Sequence, residues 1–354
     1  MATAMAPQRP LRFSPVDLID NLAERAMRSR RRVGLVVGYV AGGEEWVRGY
    51  GRCGTGAHDR PDGGTIFEIG SITKVFTGLL LADLAEQGIV GLDDPLAGYL
   101  PASARVPTFK GHQITLGDLA SHTSGLRRDP KGMLGRWLSD RHNPYAALSA
   151  EDVYEGLART RLRRRPGERA RYSNLGAGLL GQALARAAGQ PYEQLVRERI
   201  GLPLEMHDTF VTPSDEQAAR LAVGHTRRGR PVGRFELPAL AGAGALRSTA
   251  PDMLRFLAAN LDPASTPLAA QLERIQRPRH RMGRGMDVGL GWLIVRPRGP
   301  ARAMLWHNGG TNGFRSFVGA IRDAGIAVVV LGNTARSVDR LGLRIVRALA
   351  TGSG

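Results

Sequence analysis

A single cysteine, Cys53, in 354 residues excludes an intrachain disulfide and leaves a cysteine nucleophile without a base beside it. No run of eighteen apolar residues is present, so nothing reads as a spanning helix. Residues 1–13 lack the apolar core and cleavage site of a secretory signal. The expected location is therefore cytoplasmic, with no membrane partner. Eight histidines are scattered without the paired spacing that zinc requires, and neither a metal nor another cofactor is expected. Lysine is nearly absent as well. Only three of the 49 basic residues are lysine, so the net charge of +17 is carried by arginine, a skew that reads as G+C-rich coding bias. Arginine clusters at residues 28–32, 161–165 and 277–284 raise a nucleic-acid reading. With 6% aromatics and no RNP-like motif, base stacking has little to work with, and no specific nucleic-acid partner is expected. A basic rim suits instead a small anionic substrate, such as a carrier-linked or phosphate-bearing acyl donor. At 42% hydrophobic content the chain buries a sizeable core, and no internal repeat is visible.

What the sequence does contain is chemistry at three places. In Phe67-Glu68-Ile69-Gly70-Ser71-Ile72-Thr73-Lys74 a short strand breaks at Gly70 and opens a helix with serine first and lysine three residues later. Positions i and i+3 share a helix face, so the Lys74 amine reaches back over one turn to the Ser71 hydroxyl. Unpaired N–H groups at the helix start favour negative charge on the serine oxygen and disfavour an ammonium beside it. Ser71 is thus the candidate nucleophile and Lys74 its base. An exposed lysine titrates near ~10.4, and lowering it to about 7.5 takes roughly 4 kcal/mol of burial and cationic neighbours. Ile72, Val75, Phe76, Leu79, Leu80 and Leu84 recur at helical spacing, and Gly88 ends the run. This predicts an amphipathic helix over residues 71–87.

The second place is the Pro166-Gly167 turn leading to Tyr172-Ser173-Asn174. A phenol at Tyr172 can hydrogen-bond the nucleophile and, if Lys74 lowers its pKa, share the work of the base. The Asn174 amide is expected to hold Lys74 and a substrate carbonyl. The third is Trp306-His307-Asn308-Gly309-Gly310, where glycines permit close backbone approach to a ligand. The N–H of Gly310 would join that of Ser71 as an oxyanion hole, and His307 would point into the cleft.

These three motifs, in this order, resemble those of the class C β-lactamase and penicillin-binding-protein-like serine hydrolases. The resemblance runs from about residue 33 to 347. It includes the phrases at residues 119–126 (Leu-Ala-Ser-His-Thr-Ser-Gly-Leu), 242–250, 289–292 and 328–333. It implies that Ser71 is acylated, that Lys74 and Tyr172 form the proton-transfer pair, that Asn174 orients Lys74 and the substrate, and that His307, Asn308 and Gly309 lie along the substrate. His307 stands where antibiotic-hydrolysing members usually carry the lysine of Lys-Thr-Gly. A histidine near pKa ~6.5 is mostly neutral at pH 7, and members with His-x-Gly look more often like esterases, D-amino-acid peptidases, amide hydrolases and acyltransferases. The expected function is hydrolysis of an ester, amide or thioester through an acyl-enzyme, with esterase activity the first assay. A transacylase and a slowly deacylating penicillin-binding sensor are the alternatives.

Periodicity predicts helices over residues 16–29, 116–121, 150–158, 176–188, 192–199, 251–260 and 338–349. Strands are expected over 33–40, 45–50, 65–69, 289–295, 303–307, 316–321 and 326–331. The resemblance implies an α/β fold, an antiparallel sheet flanked by helices with a largely helical region inserted. Residues 1–75 and 282–354 would form the sandwich and 76–281 the insertion, with the active site between them.

Overall fold

Ile326–Gly332 is apolar at every position before its closing glycine and buried throughout, as a strand covered on both faces must be. It lies near the middle of an eight-stranded sheet. In chain order the strands are β1 (Gly34–Ala41), β2 (Glu44–Gly51), β3 (His280–Gly283), β4 (Met286–Val288), β5 (Leu293–Val295), β6 (Met304–Gly310), β7 (Arg315–Ile321) and β8 (Ile326–Gly332). They are arranged β2-β1-β8-β7-β6-β5-β4-β3, and every neighbouring pair is antiparallel. The computed structural model describes residues 15–28, 31–54, 60–140, 143–296 and 302–352. The readings made on residues 1–13 and 29 fall outside these.

Alternation along β8 divides the core in two. Ile326, Val328 and Val330 join the packing of the helices Pro15–Met27 and Asp339–Gly352 on one face. Ala327, Val329 and Leu331 point into the larger core that holds Thr73–Glu86, Asn174–Ala187 and Ala250–Leu261. A one-residue slip would exchange the two sets, so the apolar pattern pins the register that pairs Val329 with Gly38 and Val318. The α/β fold with helices on both faces is as the motifs implied.

Three local expectations need correction. Residues 289–292 form a turn: the Gly289 N–H is bonded to the Trp292 carbonyl (2.9 Å) and the Gly291 N–H to that of Ala120 (3.1 Å), so β5 begins only at Leu293. Of residues 65–69, only Phe67–Glu68 is strand, paired with Arg247–Ser248. The Thr73–Glu86 helix is not amphipathic, for every residue from Thr73 to Leu84 is buried. Its polar residues find internal partners: Thr73 Oγ1 donates to the Gly70 carbonyl (2.7 Å) and Thr77 Oγ1 to that of Gly242 (2.7 Å). The β3–β4 hairpin and the helices Met133–Ser139 and Ala269–Gln276 carry no clear periodicity and were not expected.

Candidate active site

The nucleophile motif folds by a sharp change of direction. The short strand ends at Glu68, and one residue after Ile69 the chain turns at Gly70, which takes φ +53°, a left-handed conformation that favours glycine. A Cβ there would lie 2.6 Å from the Gly310 nitrogen. The single turn Gly70–Ile72 then runs into the Thr73–Glu86 helix, which sets Lys74 one turn beyond Ser71. The ammonium of Lys74 donates to Ser71 Oγ (3.1 Å) and to the Ala243 carbonyl (2.5 Å). Burial, with the Arg128 cation adding to it and Asp129 opposing, lowers the Lys74 pKa to about 7. Near neutral pH a large share of Lys74 is therefore an amine, within hydrogen-bond reach of the serine hydroxyl.

This gives a test of sign. The pH dependence of kcat/KM should rise through an acid limb near 7 as Lys74 loses its proton. Arg128→Gln removes a repelling cation and should move that limb to higher pH; a limb that stays put or moves down would show that Arg128 does not act on Lys74.

Tyr172 stands beside the nucleophile, its phenol near enough to Ser71 for the serine to act on its ionisation. The Lys74 Nζ is 4.8 Å from its ring centre and the Arg128 guanidinium carbon 5.4 Å. Its pKa, however, is not lowered. Burial raises it to about 12, outweighing the Ser71 hydroxyl and the Arg128 charge, because a phenolate loses more by desolvation here than it gains from those neighbours. Near neutral pH Tyr172 therefore remains a neutral phenol.

Four further expectations are corrected by the geometry. Asn174 does not hold Lys74: its amide donates to Asp129 Oδ1 (3.0 Å), which also accepts from the Tyr145 hydroxyl (2.8 Å), and the second partner of Lys74 is Ala243. His307 does not open into the cleft. It is 1% exposed, its Nδ1 is 2.7 Å from the Asn308 carbonyl, and burial with the nearby Lys74 charge lowers its pKa to about 3. It is thus neutral across the working pH range, and its ring lies beneath the site, 6.2 Å from that of Tyr172. Strand alternation turns Asn308 to the opposite face, where it donates to Asp339 Oδ2 (3.0 Å). Gly309 meets backbone, not ligand: a Cβ there would stand 1.9 Å from the Ile69 carbonyl oxygen, so its close approach is to the nucleophile's own strand.

The cavity above Ser71 has a volume of about 480 Å³. Its lining includes Arg128, Asp129, Asn174, Phe235, Gly310 and Arg315. Ser71 and Gly310 both line it, and the contact between Gly70 and Gly310 brings together the two backbones expected to form the oxyanion hole. Arg315 Nη1 donates to the carbonyls of Thr311 and Phe314 (both 2.6 Å). Its side chain lines the cavity, and among the described residues no carboxylate forms a direct ion pair with it, although the Asp339 charge acts on it. Arg128 and Asp129 were missed in the sequence. Their one signal is that they directly follow the phrase at residues 119–126.

A serine and a depressed-pKa lysine one helical turn apart, beside a neutral phenol and against a strand of an antiparallel sheet, define an active-site serine hydrolase. The chain belongs to the beta-lactamase family, whose model matches residues 19–352. It is 34% identical to the D-alanyl-D-alanine-carboxypeptidase/endopeptidase AmpH of Escherichia coli K12 over 89% of this chain and 83% of that protein. It is 25% identical to a beta-lactamase of Pseudomonas fluorescens over 89% and 92% respectively. Among solved structures, a beta-lactamase/D-alanine carboxypeptidase from Yersinia pestis complexed with citrate superposes with a TM-score of 0.81 at 28% identity, covering 96% of this chain and 98% of that one. A class C beta-lactamase gives 0.82 at 20% identity, covering 95% and 96%, a likeness of fold. These matches agree with the family read from the three motifs.

Proposed function

We propose that the protein hydrolyses a small amide or ester bearing a free carboxylate, through an acyl-enzyme on Ser71, and that peptides ending in a D-amino acid are its best substrates. The observation that carries the chemistry is the buried Lys74 amine 3.1 Å from Ser71 Oγ with its pKa brought to about 7. Lys74 takes the Ser71 proton as Oγ attacks the carbonyl, and the N–H groups of Ser71 and Gly310 receive the oxyanion. Tyr172 gives its proton to the departing amine or alcohol and regains one from the Lys74 ammonium. Water then attacks the acyl carbonyl, losing a proton to Lys74, and the Lys74 ammonium returns that proton to Ser71 Oγ as the acid leaves. The D-amino-acid preference is supported by the names of the AmpH and Yersinia relatives, and the carboxylate by Arg315.

Because His307 is neutral and buried, the cation that a lysine would supply at its position falls to Arg315. Losing one charge-assisted hydrogen bond costs roughly 1.5 to 3 kcal/mol. Arg315→Gln should therefore lower kcat/KM about 10- to 150-fold for an acyl-D-Ala-D-Ala peptide and leave p-nitrophenyl butyrate within about threefold. Equal losses on both would remove the carboxylate from the reading. Turnover settles the class: release of many D-Ala molecules per enzyme excludes a once-acylated sensor, and a single-equivalent burst excludes the hydrolase. Adding an amine acceptor and finding acyl-amine in place of acid would favour the transacylase.

A further inference from the structure

The phrase at residues 119–126 has no part in the chemistry above, yet its histidine contacts the Tyr172 ring and the backbone on both sides of it. His122 is 1% exposed and takes φ +60°, a conformation that few residues with a Cβ adopt. Both its flanks are tied to the short helix Leu116–Ala120 and its end. Ser121 Oγ donates to the Gly117 carbonyl (2.7 Å) and Thr123 Oγ1 to Asp118 Oδ1 (2.8 Å). From this anchored turn His122 meets the Tyr172 segment three times. Its carbonyl accepts from the Arg171 N–H (2.7 Å). Its Nδ1 accepts from the Ser173 N–H (3.3 Å). Its ring lies 4.6 Å from the Tyr172 ring, tilted by 40°.

We propose that His122 is the positioning residue of the proton-transfer step, gripping the backbone on both sides of Tyr172 and bracing its ring so that the phenol stays on Ser71. The proposal rests on the reading of Tyr172 as proton carrier. It requires the imidazole to be neutral with its proton on Nε2, since only a bare Nδ1 can accept from Ser173. Burial and the neighbouring Lys74 and His307 keep the ring neutral. The strained backbone at His122 is of the kind found where a functional group has to be held exactly in place. A displacement of the phenol by about 1 Å is enough to cost about 100-fold in rate.

The test uses His122→Gly, which keeps the left-handed backbone but removes the acceptor and the ring, and His122→Asn, which tolerates that backbone and carries an oxygen in the place of Nδ1. With an acyl-D-Ala-D-Ala peptide or p-nitrophenyl butyrate, His122→Gly should lower kcat about 10- to 100-fold with KM within about threefold, and His122→Asn should recover most of the loss. In a Tyr172→Phe background, His122→Gly should cost less than about threefold, because the group it positions is gone. If His122→Gly costs as much there as in the unaltered enzyme, or if His122→Asn is no better than His122→Gly, the proposal is overturned. If Tyr172→Phe itself leaves kcat unchanged, it is the proton-carrier reading that fails. Should His122→Gly not fold, His122→Gln takes its place in both arms, with an amide oxygen one bond too far out to accept from Ser173.

Discussion

Replacing Lys74 with methionine should stop turnover and, at acid to neutral pH, make the protein harder to unfold. The folded-state pKa of about 7 lies well below the ~10.4 of an exposed lysine. Between those values the unfolded chain binds more protons than the folded one, so the Lys74 contribution to stability improves as pH rises through that window. Below about 7 the buried ammonium costs on the order of 4 kcal/mol. Methionine fills the same channel with no charge to desolvate, although it leaves the Ala243 carbonyl unpaired at about 1 to 2 kcal/mol. A net gain of roughly 2 to 3 kcal/mol at pH 6, fading by pH 10, is the expected outcome of urea unfolding. The same variant should lose about 10³- to 10⁴-fold in turnover through loss of its base. A variant less stable at pH 6, or one whose difference from the parent does not change with pH, would show that the lysine is not held against its solvation.

The second large effect is at Ser71. Ser71→Ala removes one oxygen, so the fold should survive, yet turnover should fall by about 10⁶-fold, because a nucleophile and its base act as one unit. The circular dichroism spectrum and unfolding midpoint serve as controls. In the unaltered enzyme, exposure to a fluorophosphonate should add its mass to the tryptic peptide carrying Ser71 and to no other, and Ser71→Ala should take up none. Mass found on another peptide, or residual turnover within about 100-fold of the parent, would move the chemistry elsewhere.

How far the site was readable depended on the sequence distance between its parts. Ser71 and Lys74 are three residues apart on one helix, and local spacing alone brings them together. Tyr172 was found as a residue but not as a chemical state: its raised pKa follows from burial, which the tripeptide around it does not encode. Asn174 was assigned to Lys74 because the carboxylate it actually binds, Asp129, lies 45 residues away in sequence. His307 and Asn308 were read as a cleft edge. Which way each side chain faces is decided by pairing of His307 with Val318 and of Asn308 with Phe317, a partnership set by β7 and β8 rather than by the motif. The central strands were legible because Val, Ile and Leu recur without interruption. The β3–β4 hairpin, His-Arg-Met-Gly and Met-Asp-Val, has neither alternation nor a β-branched run. The burial of Thr73 to Leu84 on every side depended on helices that arrive a hundred residues later.

The base of the cavity and its rim are constructed differently. Below, Gly70 meets Gly310 and Gly309 meets the Ile69 carbonyl with no side chain between them, beside a helix buried from Thr73 to Leu84. Above, the cavity is closed by side chains from several separate segments, around Arg128, Phe235 and Arg315. Substitutions at the base jam backbone against backbone, whereas substitutions at the rim change shape and charge and leave the base untouched. New specificities are therefore accessible by single changes at positions such as 235 and 315, while the reaction itself stays the same, and a library confined to those positions should yield folded, acylating enzymes with altered substrate preference.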